Sequence, residues 1–333
     1  MKKNNVIFWV MMTLLVASCS KAPKLDPTEE TIEGKALLRF SIDGFAQETL
    51  PFPKSPNLQS STKPLHASDE GEKPFNLRDY ANVIEYKISK YSTLVDSVTQ
   101  YASDPDFGIY SRYLPVSADT TEREGYHINI SAAMLEDGQS LRTKGGSSTL
   151  DLSFDPHTPD AFYHYSEVSL PEGSSINSVK IKRIVGKVEV IPTDTIPANA
   201  GKVEIDVYDV AKHFLLRKGT GYFVSQKTGD ERVGSEIKTI SILPEDIGKS
   251  EKTFASYFMF KDKLGTQVAP RTVTITTYDK DDNVIMKRVV PNVNLQINQI
   301  TRLRGPIFSN RPNADFSIEF ESDWNSEIPE FEF

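Results

Sequence analysis

From Lys35 onward the chain reads as short runs of β-type residues punctuated by Gly, Pro, Asn and Asp, the pattern of strands joined by turns. Val83, Glu85 and Lys87 alternate with Ile84, Tyr86 and Ile88, which is the period of a half-buried strand. In the first half this patterning predicts strands near 36–43, 83–91, 93–101, 107–114, 126–134, 149–154 and 162–170. In the second half it predicts strands near 178–191, 202–209, 237–243, 253–260, 271–278, 284–290, 293–297, 300–304 and 316–320. Leu77–Ala81 and Val210–Leu216 each read as a short helical turn, and no segment sustains a helical period. Leu50–Pro74 carries five prolines among Ser, Asn and Lys and reads as a long surface loop. Pro171–Ser175 separates two successive all-β units, which points to two β-sandwiches.

The start of the chain has a different pattern. Lys2 and Lys3 precede an apolar run of 12 residues, Val6–Ala17, and Val16-Ala17-Ser18 lead into Cys19, the only cysteine. A basic start, a short apolar run and small residues before a cut point spell a secretory signal. The run is shorter than the roughly 20 apolar residues that a membrane-spanning helix needs. A cysteine directly after Val-Ala-Ser resembles the bacterial lipobox, in which the thiol is acylated and the chain is cut between Ser18 and Cys19. Ser20–Glu33 is polar, holds two prolines and reads as a flexible tether. The expected organisation is therefore a lipoprotein signal peptide over 1–18, a tether over 19–34, a first sandwich over 35–172, and a second sandwich with a C-terminal tail over 173–333.

Composition narrows the chemistry. Cleavage removes 18 of 333 residues, leaves 315, and by taking Lys2 and Lys3 moves the formal charge from −8 to −10. An acidic chain lacks the basic footprint of a nucleic-acid binder, so no nucleic acid is expected as a partner. With Cys19 committed to lipid, no disulfide is available, and the sandwiches must be held by their cores.

Enzyme signatures are thin, and neither catalytic residues nor a cofactor are expected. The chain has no His-Glu-x-x-His, no Gly-x-Ser-x-Gly and no phosphate loop. Asp279–Asn283 begins like a calcium loop but has Val284 and Val290 where that loop needs Gly and Glu. It reads better as a hairpin tip. His127, His164 and His213 show no metal-ligand spacing, and His164 is flanked by Tyr163 and Tyr165 on a predicted strand. Tyr80, Tyr86, Tyr91, Tyr101, Tyr110 and Tyr113 cluster in the first unit. Such rings can form a sugar-binding platform, but tyrosine also fits a half-buried pleat, and packing is the favoured reading.

Three segments together resemble the fimbrillin-type subunits of type V pili found in Bacteroidia, in particular their anchor and accessory branch. The first is Leu38–Phe45 (LRFSIDGF), opening the first unit after the tether. The second is Val179–Val190 (VKIKRIVGKVEV), similar to a basic strand that leads from one domain to the next, followed by Ile196-Pro197 and the strand Lys202–Val207. The third runs from Asn292 to Phe308 and resembles a closing N-x-x-T-x-L-x-G-x-x-F element, with an alternating strand and Trp324-Asn325 beyond it.

This resemblance implies two tandem transthyretin-like β-sandwiches and a structural role. It further implies a fimbrial subunit in the outer membrane, held at the cell surface by lipid on Cys19 and joined to other fimbrial subunits by strand exchange. A host ligand is an open partner. In polymerising members an Arg- or Lys-directed protease removes the first strand, and Lys35 and Arg39 are the candidate cut points here. A basic residue on the exposed face of a strand is the alternative, and the retained anchor is slightly favoured over a tip subunit. Phe316, Ile318 and Phe320 alternate with polar or acidic residues, as a donated strand should, and would equally suit the last strand of their own sandwich. The competing reading is a surface glycan-binding lipoprotein of a nutrient-uptake system, which needs coplanar exposed aromatic rings.

Overall fold

The computed structural model describes residues 34–46, 75–90, 93–116, 125–145, 150–170, 174–222, 234–260, 270–309 and 316–321. In chain order the first strands are β1 (Lys35–Phe45), β2 (Val83–Lys90), β3 (Thr93–Tyr101), β4 (Ile109–Pro115), β5 (Tyr126–Met134), β6 (Ser140–Lys144) and β7 (Asp151–Asp155). They are followed by β8 (Asp160–Val168), β9 (Ser174–Arg183), β10 (Val185–Pro192), β11 (Ala200–Tyr208), β12 (Val210–Ala211), β13 (His213–Leu215) and β14 (Thr220–Tyr222). The remainder are β15 (Ser235–Ser241), β16 (Phe254–Phe260), β17 (Arg271–Asp279), β18 (Val284–Val293), β19 (Ile300–Gly305) and β20 (Ser317–Glu321). Leu77–Asp79 forms a 3-10 turn, near where a helical turn is expected.

The first sandwich is one curved sheet of seven strands in the order β3-β2-β5-β8-β9-β1-β4. Its two halves meet only through two residue pairs between β8 and β9, Phe162 with Arg183 and Tyr163 with Lys182. They face each other over a shared core that includes Leu38, Phe40, Ile84, Tyr86, Tyr110, Ile128 and Ile181. The two outer strands are drawn together by Gln100, whose amide donates to Ile109 O and accepts from Gly108 N. Tyr86 and Tyr110 are almost fully buried, and burial pushes both phenols up. Those two tyrosines pack the core rather than a surface, Tyr101 is exposed, and Tyr91 lies outside the described residues.

In the second sandwich a sheet β12-β16-β10-β19-β20 covers a sheet β15-β11-β17-β18. Val188, Val203, Ile205, Phe254, Phe258, Ile275 and Leu303 fill the space between them. Asp194 is buried beneath the end of β19, where its carboxylate accepts from the backbone amides of Ile307 and Phe308 and from Ser309 Oγ.

The structure parts from the sequence reading at the junction. Strand β9 follows the expected boundary after residue 172, yet it pairs in parallel with β1 and so belongs to the first sheet. The run expected as one strand over 178–191 is two strands, and the chain passes from the first sandwich to the second at Ile184. Val210–Leu216 is not helical. Its residues form β12 and β13, and β13 pairs with β7 and β14 in a small sheet β14-β13-β7-β6 drawn from both halves of the chain. The strand expected over 293–297 is likewise absent beyond Val293, the last residue of β18.

Candidate functional site

Strand β1 occupies a central place that its sequence explains. Leu38, Phe40 and Ile42 alternate into the core, with Phe40 stacked on Tyr110 at 4.8 Å between ring centroids. The strand runs antiparallel to β4 on one side and parallel to β9 on the other. Withdrawing it would strip both neighbours of backbone partners and re-expose three large apolar side chains, each worth about 1.5–3 kcal/mol.

The two candidate cut points sit differently on this strand. Lys35 is exposed at the start of β1, opposite Pro115. Arg39 is half-buried in mid-strand, opposite Ser111 on β4 and Ile176 on β9. A protease that requires extended, accessible backbone reaches Lys35 more directly than Arg39. Ser18 and Cys19 lie outside the described residues.

At the other end of the described chain, β20 pairs antiparallel with β19 and forms an edge of the second sandwich. Phe316 and Ile318 pack against the second core, and the backbone of Phe320 lies opposite Thr301. Gly305 has a specific reason to be glycine, because a Cβ there would meet the Phe316 ring at 2.8 Å. The Phe331–Phe333 end of the chain lies outside the described residues.

Between the sandwiches a third apolar cluster joins Val83, Leu152 and Tyr163 to Val185, Phe214 and Met259. Two buried ion pairs flank it. Arg183 donates to both oxygens of Asp160 at 2.8 and 3.0 Å. Lys238 pairs with Glu236 at 2.8 Å, Glu236 accepts from the Thr158 amide at 3.3 Å, and Lys238 donates to Thr158 O at 3.2 Å. A cleft of about 510 Å³ opens beside these groups and is lined by Glu136, His157, Lys238 and Tyr257. Burial and then the nearby Asp160 push the Tyr257 phenol up to about 12. Burial also lowers the His157 imidazole below its ordinary value. Each ion pair lies within one sandwich, and its further hydrogen bonds cross the junction, from Glu236 and Lys238 to Thr158 and from Arg183 to Asn298 Oδ1, which makes this cluster a clamp between the sandwiches.

The separated histidines are each held locally. His127 Nδ1 lies 3.0 Å from Tyr165 Oη, and Tyr165 in turn donates to Glu167. His164 Nδ1 lies 3.0 Å from Lys180 O, and His213 Nδ1 lies 3.6 Å from an Asp151 oxygen. Asp279–Asn283 is the tip of the β17–β18 hairpin. There Asp279 Oδ1 accepts from the amides of Asp281 and Asn283, and Asp282 pairs with Lys202 at 2.8 Å. Patterning missed β6 and β12–β14.

Some solved structures are similar to this chain at low identity. A candidate adhesin from Bacteroides ovatus is 9% identical with a TM-score of 0.45, over 86% of this chain and 95% of that one. The fimbrial anchor protein Mfa2 from Porphyromonas gingivalis is 11% identical with a TM-score of 0.42, over 86% of this chain and 98% of that one. The tip fimbrial protein Mfa3 from the same organism, with a C-terminal truncation, is 9% identical with a TM-score of 0.40, over 86% of this chain and 99% of that one. No curated protein matches the chain by sequence. The match to a family model runs over residues 150–332, from just before β7 and over more than half of the chain, and the protein belongs to that family, a family of unknown function (DUF6562).

Proposed function

We propose that this protein is a structural subunit of a cell-surface fimbria, held in the outer membrane by lipid on Cys19 and joined to neighbouring subunits by strand donation. The observation that carries the reading is the placement of β1. The strand that follows the tether is also the strand on which the first core closes, between β4 and β9. Lipid and fold are thereby coupled through one short stretch of chain, so retention of β1 retains the subunit at the membrane. The half-buried mid-strand position of Arg39 supports the anchor over a processed tip subunit. The edge position of β20, with apolar residues already seated on a core, supports this segment as the donated element. Strand addition of that kind takes its affinity from backbone hydrogen bonds and its register from alternate side chains.

Two experiments test the parts separately. The Cys19→Ser variant is expected to leave the membrane fraction or to stay unprocessed, and ordinary membrane retention would refute the lipid anchor. For donation, Arg304 and Ser317 lie opposite each other on β19 and β20, so a variant with cysteines at both positions reports where β20 resides. Donation predicts crosslinks between chains in surface assemblies, whereas crosslinks confined within single chains would refute it.

A further inference from the structure

A second cavity, distinct from the clamp, lies where the first sheet splits. Strands β8 and β9 pair only at Phe162–Arg183 and Tyr163–Lys182. Beyond those pairs they diverge, and His164 bridges the gap. Its Nδ1 lies 3.0 Å from Lys180 O and its Nε2 lies 3.0 Å from Ser166 Oγ. Burial holds this imidazole below its ordinary value, and the Lys182 charge adds to the effect.

The turn between β13 and β14 roofs the gap. Gly219 has φ +62°, and a Cβ on it would stand 2.5 Å from Tyr163 Oη, so the turn rests directly on the strand below. The result is a half-open cavity of about 370 Å³ built from both halves of the chain, at the small end of ligand-site sizes.

Its charge is one-sided. Lys180, Lys182, Arg217 and Lys218 line it, and among the described residues no carboxylate does. Two acids touch its lining residues: Glu167 sits 3.4 Å from Arg217 and also accepts from Tyr165, and Asp43 accepts from Ser178 Oγ. In a chain with 46 acidic and 38 basic residues, four cations from β9 and one turn are a local reversal of sign. Such a concave surface with an excess of one sign concentrates counter-ions. Ammonium groups are point charges that accept oxyanions without strict geometry. The Tyr165 ring adds a flat apolar surface, and the Ser178 hydroxyl, which donates to Asp43, still offers its oxygen as an acceptor, which suits a ring bearing hydroxyls better than a bare ion.

We propose that this pocket binds an acidic saccharide, with Lys180, Lys182, Arg217 and Lys218 receiving its sulfate or carboxylate and the Tyr165 wall its ring. The site is independent of how the protein is anchored or assembled. Four probes test it on the full soluble chain by titration calorimetry: a sulfated heparin tetrasaccharide, a tetramer of galacturonic acid, neutral maltotetraose, and phosphatidylglycerol vesicles. The heparin probe carries sulfate as well as carboxylate and the galacturonate only carboxylate, so the first two show whether sulfate is required.

The expected result is binding of at least one acidic saccharide at least tenfold tighter than maltotetraose. That binding should weaken at least tenfold when Lys180→Glu and Lys218→Glu are combined. A control with Lys144→Glu and Lys287→Glu makes the same charge change at two other exposed positions and should alter it by less than threefold. The proposal is overturned if no acidic saccharide binds, if maltotetraose binds equally well, or if both double variants behave alike. Lysine-dependent binding to the vesicles alone would overturn it in favour of a lipid headgroup.

Discussion

The guanidinium of Arg183 donates to Asn298 Oδ1 at 3.0 Å while its other two nitrogens grip Asp160. Arg183 ends β9, Asp160 starts β8, and Asn298 lies just before β19 with φ +58°, a conformation Asn tolerates. One side chain thereby ties the first sandwich to the closing segment of the second, at the point where the chain crosses between them. The neighbouring backbone fixes that closing segment on β10, since Asn298 N donates to Val185 O at 2.8 Å and Lys187 N to Gln299 O at 2.9 Å.

Arg183→Ala leaves the Asp160 carboxylate buried without its counter-charge, and a loss of about 3–5 kcal/mol is expected. Arg183→Lys keeps the charge but loses the fork, and should cost less. Urea unfolding followed by tyrosine fluorescence measures both. An Ala variant as stable as the parent would mean that the apolar cluster around Val185 and Phe214 holds the junction alone.

Asp194→Ala removes the acceptor for two buried amides and a hydroxyl. About 2–4 kcal/mol of stability should be lost, with Asp194→Asn intermediate because one oxygen still accepts. Amide exchange at Ile307 and Phe308 should accelerate in both variants. Unchanged protection there would contradict the role given to this carboxylate.

Gly186→Ala places a methyl group 2.2 Å from Gln296 O, a backbone atom that cannot swing aside. A loss of about 1–3 kcal/mol follows from such overpacking. Gly44→Ala is the control, because nothing lies within 4 Å of its added Cβ. Thermal melts of the two variants should differ clearly, and equal melts would show that the β10 contact is looser than the geometry indicates.

Glu189 gives the junction-side sheet a pH dependence. Burial works against its charge, but hydrogen bonds and charge from Lys187 and Arg302, at 2.7 and 2.8 Å, outweigh it and hold the carboxyl below its ordinary value. A depressed folded value makes the contribution fully present above the unfolded value near 4.5 and lost as pH falls through the folded one. Glu189→Gln should therefore be less stable than the parent at pH 7, with the difference shrinking in acid. A stability difference independent of pH would contradict the ion-pair origin.

Most strands were legible where one face is buried, and a period of two survives in residues such as Val83–Ile88 and Lys202–Val207. The crossover was not, because no Gly or Pro marks Ile184. It is fully buried, its amide donates to Ala161 O, and the apolar run continues through it. Strands as short as Val210–Ala211 and His213–Leu215 hold too few residues to show a period. They exist because β7 and β16 offer them partners. Strand β1 was readable as a local pattern. The basic pocket was not, since Lys180 and Lys218 come together only through the fold.

The most direct test of the account is mass spectrometry of the mature N-terminus from the native cell. The account predicts an acylated Cys19 as the first residue, with the peptide across Lys35–Phe40 intact, so that β1 stays joined to its lipid. A mature chain that starts at Ala36 or Phe40, or one that begins at an uncleaved Met1, would contradict it.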